Sequence, residues 1–184
     1  MVRGNRRRTR VYISLGSNQG DRVGFIQQAM QLLKDNQHIR ITECSSLYET
    51  QPVGSASGNW FVNAVAGIET DLSAPDLLKI CQDIEKLILS LNSSGKSSRP
   101  SVKKSQSGRI IDLDILFYGD QIIETDNLTI PHSMIEKRAY TLVPLLEIAP
   151  ELIHPKSEKT IAHLHEELPL PELIYLYGTR EESE

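Results

Sequence analysis

Two aspartates at alternate positions of an apolar segment are the residues of this sequence best suited to chemistry. The segment RIIDLDILFYG, residues 109–119, predicts a strand that places Asp112 and Asp114 on one face, roughly 7 Å apart. Carboxylates this close repel each other and lose hydration when covered, so they require a compensating cation such as Mg²⁺ or a basic cluster. The alternative is the solvent-facing polar edge of a half-exposed strand.

The residues before this strand favour the first interpretation. Between Glu85 and Asp112 the sequence contains no acidic residue but several basic ones, namely Lys86, Lys96, Arg99, Lys103, Lys104 and Arg109. The stretch from about residue 92 to 108 is rich in serine and lacks a core-forming pattern, which predicts a mobile loop. A cationic loop beside an acid pair suits closure over a polyphosphate during phosphoryl transfer. The alternative is a linker with incidental charge.

The elements that must position these groups follow from changes in hydrophobic period. RVYISLGSN predicts a strand, and Asp21 is placed to cap a helix that continues through Lys34. Residues 39–50 and 60–70 alternate as two strands, and a capping pattern at Ser73 begins a second helix. The aspartate strand follows, with QIIE at 121–124 as its hairpin arm. The order βαββαβ predicts an α+β ferredoxin-like sandwich, an antiparallel sheet with helices, plus a C-terminal extension.

Length and charge limit the classes of protein to consider. The chain has 184 residues, enough for one domain, which we place at residues 11–176 between a basic arm (1–10) and an acidic tail (177–184). The net charge is −4, and it becomes −9 without the five arginines of the arm, which argues against a nucleic-acid partner. No apolar run is long enough for a membrane span or a secretory signal, so we expect a cytoplasmic protein. Cys44 and Cys81 lie among apolar residues and are interpreted as core.

Two further segments carry polar side chains suited to ligand binding. In YETQPVG and the following FVN, Asn63 offers a donor and an acceptor on one amide, and Phe61 shares its strand face. This loop can hold a flat heterocycle, although an aromatic residue in a strand is more often core. In the last segment, His132, Arg138 and Tyr140 can contact phosphate and a ring. A His–Arg pair alone, however, is a weak indication of a site.

Together these motifs resemble the 6-hydroxymethyl-7,8-dihydropterin pyrophosphokinase family over about residues 11–152. The resemblance rests on SLGSNQGD, YETQPVG, FVNAV, DIE, GRIIDLDILFYG and IPHSMIEKRAYTLVPLLEIAPEL, in that order. It implies a ferredoxin-like enzyme of folate biosynthesis that transfers pyrophosphate from ATP to the pterin hydroxymethyl group and releases AMP. The partners implied are these two small molecules, and the implied state is a monomer. Gly16, Ser17 and Asn18 of the first motif are interpreted as residues that shape a turn.

The resemblance also implies roles for individual residues. Asp112 and Asp114 would bind two Mg²⁺ ions, with Asp112 nearer the pterin hydroxyl, and Arg109 would offset charge on the transferred group. The pterin would be held by the Asn63 amide and by the backbone of Thr50, Gln51, Pro52 and Val53, with its ring stacked between Phe61 and Tyr140. The nucleotide would be held by Gln82, Glu85, Arg109, Ile115, Thr129, His132 and Arg138.

One departure from the family pattern leaves an alternative open. Members of the family that the motifs resemble usually carry a Gly-Arg-x-Arg run where the second helix ends, whereas this chain reads LILSLNSSGK. We expect Arg99, Lys103 or Lys104 to reach the phosphates instead. The alternative is a degenerate homologue that binds nucleotide or pterin without turnover. An RNA-binding ferredoxin-like domain is disfavoured because the body is acidic and Tyr12 is a lone aromatic on its strand.

Overall fold

The computed structural model describes residues 8–51, 59–93, 110–168 and 173–178. The strands are β1 (Thr9–Ser17), β2 (Ile39–Cys44), β3 (Leu47–Thr50), β4 (Phe61–Thr70), β5 (Asp112–Tyr118), β6 (Ile123–Glu124), β7 (Thr129–Ile130) and β8 (Ile174–Gly178). The helices are α1 (Arg22–Lys34), α2 (Ala74–Ser93), α3 (Ala139–Ile148) and α4 (Ile161–Glu166), with a 3-10 helix at Ile135–Lys137. β1 begins two residues inside the predicted basic arm, and β8 ends two residues inside the predicted acidic tail.

The main sheet is antiparallel and confirms the predicted ferredoxin-like arrangement. Its order is β5-β1-β4-β3-β8, and β2 also pairs with β4. The segment predicted as one strand over residues 39–50 is divided at Ser45, whose Oγ accepts a hydrogen bond from the Val65 amide at 2.9 Å. Both halves can pair with β4 because that strand is ten residues long.

Helices α1 and α2 cover one face of the sheet, which we call the α1–α2 face. Asp21 caps α1 by accepting a hydrogen bond from Gly24 N at 3.0 Å, as its position predicts. Ser73 Oγ accepts a hydrogen bond from Asp76 N at 3.3 Å at the start of α2. The core on this face includes Cys81, fully buried, with Cys44 partly buried against it. Cys81 is therefore a core residue, as predicted, whereas Cys44 lies at the margin of the core.

The opposite face, which we call the α3 face, is half apolar and half polar. Helices α3 and α4 pack on the apolar half, where Tyr12, Val65 and Leu116 lie. The strands continue beyond these helices into a half that carries Asp112 and Asp114. Because alternate residues of a strand share a face, one set of strands supports both a core and a polar surface. The polar half is therefore held by the same sheet that carries the core.

Two sequence-based predictions about local structure are wrong. The QIIE segment does not form a hairpin arm of β5, because β6 pairs with β7 in a separate two-stranded sheet. Gly16 and Ser17 do not shape a turn, because both belong to β1, where Gly16 pairs with β4 and with β5. Among the described residues, no helix is both long enough and apolar enough to span a bilayer.

Candidate active site

The register of three strands brings the predicted acid pair and the predicted pterin amide into neighbouring positions. Gly16 on β1 is paired with Asp112 on one side and with Asn63 on the other. Ser14, two residues earlier, is paired with Asp114. Both aspartates are partly exposed on the α3 face, as alternation along β5 requires. The two groups are thus separated by the width of one strand.

Gly16 keeps the space between them open. A Cβ on this residue would lie 2.9 Å from Asn63 Oδ1, which is closer than carbon and oxygen atoms normally approach. The Asn63 amide therefore leans over β1 at the one position that has no side chain. The sequence signal for this role was a glycine inside a predicted strand, which marks a close approach.

The Asn63 side chain is fixed by Thr50. Asn63 Nδ2 donates a 2.7 Å hydrogen bond to Thr50 Oγ1, and both residues are buried. Phe61 is paired with Thr50 and is partly exposed on the same face. Gln51 is partly exposed at the end of β3, while Pro52 and Val53 lie outside the described residues. The predicted pterin residues Thr50, Phe61 and Asn63 therefore do come together.

Glu85 on α2 holds the strand that carries the aspartates. Its Oε1 accepts a 2.6 Å hydrogen bond from the backbone N–H of Leu113, which lies between Asp112 and Asp114 on the edge strand β5. Burial raises the pKa of the nearby Cys81 thiol to about 12, with contributions from the charges of Glu85 and Asp114. This thiol is therefore a neutral core group. Gln82 is exposed one turn earlier on the same helix.

The remaining predicted nucleotide residues follow β5 in sequence. His132 N donates a 3.0 Å hydrogen bond to Leu116 O, which places this segment beside β5. Thr129, in the preceding β7, is partly exposed. Arg138 is the N-cap residue of α3, and Tyr140 is partly exposed in the first turn of that helix.

One predicted nucleotide residue is buried, and the predicted cations that directly precede β5 lie outside the described residues. Ile115 is buried in the core of the α1–α2 face, so only its backbone is available to a nucleotide. Arg109 and the loop cations lie outside the described residues, as does most of the predicted mobile loop at 92–108. Within the described ranges, no cluster of three or more His, Cys, Asp and Glu side chains could by itself hold a metal ion. Asp112 and Asp114 are a pair of carboxylates on one strand.

Glu147 on α3 was missed by the sequence analysis. Its carboxylate accepts hydrogen bonds from Ser46 N at 2.9 Å, Ser46 Oγ at 2.8 Å and Tyr48 Oη at 2.9 Å. Burial and the hydrogen bond to Glu147 raise the pKa of Tyr48 to about 12. Tyr48 is itself paired with Asn63, so this clamp joins α3 to the strand beside the site. The available signal was one glutamate in the apolar helix sequence VPLLEIA.

A cavity of about 650 Å³ lies away from this site. It is lined by Asn18, Arg22, Glu49, Trp60 and Tyr175, among others. Glu49 and Tyr175 are paired on adjacent strands, and they alternate with Tyr48 and Leu176, which belong to the α3 face. The cavity therefore opens on the α1–α2 face, across the sheet from the acid pair. We place the candidate active site at the carboxylates because only that face combines them with Asn63 and Thr50.

Comparison with known sequences identifies a family and several relatives. Residues 12–150 match the family described as 7,8-dihydro-6-hydroxymethylpterin-pyrophosphokinase (HPPK). A 2-amino-4-hydroxy-6-hydroxymethyldihydropteridine pyrophosphokinase of Methylorubrum extorquens is 36% identical over 146 residues, which cover 79% of this chain and 85% of that protein. The folic acid synthesis protein fol1 of Schizosaccharomyces pombe is 37% identical over 158 residues, or 86% of this chain. That match spans only 20% of the fungal protein.

Comparison with solved structures finds the same fold. The wild-type HPPK-DHPS of Plasmodium falciparum, crystallised with pterin and p-hydroxybenzoate, superposes with a TM-score of 0.66 at 17% sequence identity. The superposition covers 89% of this chain and 43% of that one. At this identity the likeness concerns the fold alone. The sequence matches and the fold therefore agree.

Proposed function

Because this chain belongs to the 7,8-dihydro-6-hydroxymethylpterin-pyrophosphokinase family, we propose that it transfers the pyrophosphoryl group of ATP to 6-hydroxymethyl-7,8-dihydropterin in folate biosynthesis. The hydroxymethyl oxygen attacks the β-phosphorus of ATP. The bond from that phosphorus to the oxygen bridging it to the α-phosphorus breaks, so that AMP leaves and the hydroxyl proton is released. The observation that carries the proposal is the row Asp112, Gly16, Asn63, which sets an acid pair beside a fixed amide.

The pterin occupies the Asn63 side of this row. Asn63 offers its amide to the edge of the heterocycle, and the bond from Nδ2 to Thr50 Oγ1 leaves the orientation of that amide defined. The backbone at Thr50, Gln51, Pro52 and Val53 supplies further contacts. Phe61 and Tyr140 stack on the two faces of the ring.

The carboxylate side of the row binds Mg²⁺. Asp112 and Asp114 fit this ion because they are hard oxygen donors, partly exposed on one strand face, and their strand is fixed by the Glu85 hydrogen bond to Leu113. We propose two ions, with Asp112 serving the one nearer the pterin. Bound Mg²⁺ supplies charge neutralisation for the phosphates and polarises the hydroxyl group.

The nucleotide extends from the acid pair towards α2 and towards the segment after β7. Gln82, Glu85, Thr129, His132 and Arg138 line its path, and Ile115 contributes backbone atoms. His132 and Arg138 meet phosphate oxygens with charge-assisted hydrogen bonds. Arg109 offsets the charge on the transferred group, and Arg99, Lys103 or Lys104 takes the place of the family's Gly-Arg-x-Arg run. The protein acts as a monomer in the cytoplasm; two cysteines in 184 residues do not make the disulfide framework typical of small secreted domains.

The test is the identity of the nucleotide product. The full chain is incubated with ATP, Mg²⁺ and the reduced pterin, and nucleotides and pterins are separated by chromatography. The proposal predicts AMP and diphosphorylated pterin in equal amounts. ADP as the main product would indicate an ordinary kinase, and no product at all would indicate the degenerate, noncatalytic homologue. Either result would overturn the proposal.

A further inference from the structure

The C-terminal strand contacts both ends of the connection between β3 and β4. At the first end, Gln51 N donates a hydrogen bond to Leu173 O at 3.3 Å, and Thr50 is paired with Ile174. At the second end, the ring of Trp60 stacks on Tyr175, with centroids 5.8 Å apart and planes inclined by 28°. β8 thus lies against the residues just outside Thr50 and Phe61.

Arg22 strengthens the second attachment from the start of α1. Its Nη1 donates to Trp60 O at 2.8 Å and lies 2.7 Å from Glu49 Oε1. The guanidinium carbon lies 5.7 Å from the centre of the Tyr177 ring. One cation therefore ties together α1, β3, β8 and the residue that precedes β4. This arrangement lies on the α1–α2 face, across the sheet from the proposed pterin site.

From these contacts we infer that Tyr175 is a positioning residue for the pterin. Tyr175 lies on the opposite side of the sheet from the pterin. It holds Trp60 in place and thereby fixes the position of Phe61 next to Thr50. The inference rests on the proposed function, because the pterin is the ligand assigned to those two residues. Tyr175 also lies outside the matched family region, which ends at residue 150. A ligand binds more tightly when the groups that contact it are already held in place.

Because Tyr175 is exposed, its effect on pterin binding can be distinguished from an effect on the stability of the fold. Tyr175 is 53% exposed, so its removal takes little apolar area out of the core. Its ring stacks on the Trp60 ring, and an aromatic pair of this kind is worth roughly a few-fold to tenfold in an equilibrium constant. We assign that effect to the pterin end of the site, because Trp60 directly precedes Phe61 in the chain.

The matched variants are Tyr175→Ala and Leu176→Ala. Leu176 is the next residue of the same strand, is similarly exposed at 58%, and faces the other side. We expect Tyr175→Ala to raise the KM for the pterin about 3- to 10-fold, with kcat and the KM for ATP changed less than about twofold. Leu176→Ala should leave all three constants near wild type, and Tyr175→Phe, which keeps the ring, should retain the wild-type pterin KM.

Tryptophan fluorescence gives a reading independent of turnover, because Trp60 is the only tryptophan of the chain. Tyr175→Ala should shift Trp60 emission to longer wavelength and weaken pterin binding in a titration with Mg²⁺ and a nonhydrolysable ATP analogue. An unchanged pterin KM in Tyr175→Ala, or equal increases in the KM values for pterin and ATP, would overturn the inference. The proposed function would still stand if the wild-type protein released AMP. Wild-type protein that releases no AMP would instead overturn the proposed function, and with it this inference.

Discussion

At the scale of single residues, Gly16 has a role in the site because it has no side chain. We expect Gly16→Ala to push the Asn63 amide away, since the new Cβ would lie 2.9 Å from Oδ1. Losing the defined Thr50–Asn63 hydrogen bond should raise the pterin KM about tenfold. Steady-state kinetics with varied pterin checks this prediction.

Gly67→Ala is the control for crowding elsewhere in the same sheet. Its added Cβ would meet the Glu43 side chain at 2.6 Å, near the other end of β4. It should lower the melting temperature without changing the pterin KM. Equal pterin KM values for Gly16→Ala and wild type would contradict the role assigned to Gly16.

The acid pair gives a second prediction at this scale. Asp112→Asn and Asp114→Asn keep the size of the side chain but remove the charge that would hold Mg²⁺. Turnover should fall by at least on the order of 100-fold in each, with little change in the melting temperature. Asp120→Asn, in the exposed turn after β5, should retain wild-type turnover. Near-normal rates in both site variants would exclude the proposed metal role.

At the scale of elements, Glu147 fixes α3 against the strand beside the site. Glu147→Ala removes the acceptor of three hydrogen bonds from Ser46 and Tyr48. We expect a loss of about 1–3 kcal/mol in the free energy of unfolding, which corresponds to roughly 2–4 °C in melting temperature per kcal/mol. Denaturant titration measures it, with the exposed Glu151→Ala as the comparison. If both variants were equally stable, the clamp would contribute nothing.

Local signals predicted the helices better than the strands. α1 and α2 follow from their capping residues and helical periodicity, both of which are properties of neighbouring residues. The division of β2 from β3 depends on a contact of Ser45 with Val65, 20 residues away, and β6 and β7 have 2 residues each, too few to show alternation. Such contacts leave no periodic trace in the sequence. The covering of the α3 face by α3 and α4 was unforeseen for the same reason.

At the scale of the whole molecule, a histidine buried beside the core of the α3 face makes stability depend on pH. His154 is almost fully buried against Phe117, with ring centroids 5.7 Å apart, and its Nδ1 accepts a hydrogen bond from Ser157 N. Burial lowers the pKa of His154 below its ordinary value of 6.5, with Glu136 acting in the opposite direction and Lys156 in the same one.

The sign of the effect follows from proton binding. The unfolded chain takes up a proton on His154 near 6.5, whereas the folded protein resists it, so stability decreases as the pH falls below 6.5 and towards the lowered folded pKa. Melting temperatures measured from about pH 7.5 to about pH 5 should show this decrease. His154→Asn, which keeps an acceptor, should flatten the curve, and an unchanged slope would contradict the assignment.

The site as a whole was partly predictable. The acid pair, Asn63, Phe61 and Thr50 are carried by short motifs, because their spacing along single strands already fixes their face. The roles of Gly16, Glu147 and Tyr175 arise from strands and helices that are distant in sequence. They became visible only when the register of β1, β4 and β8 was known.

The most direct test of the account is a crystal structure of the protein with magnesium, a nonhydrolysable ATP analogue and the pterin. We predict that Asp112 and Asp114 coordinate metal ions that contact the phosphates, with the pterin edge on Asn63. A structure in which both carboxylates face solvent with no ion near them, while the nucleotide lies elsewhere on the sheet, would contradict the account.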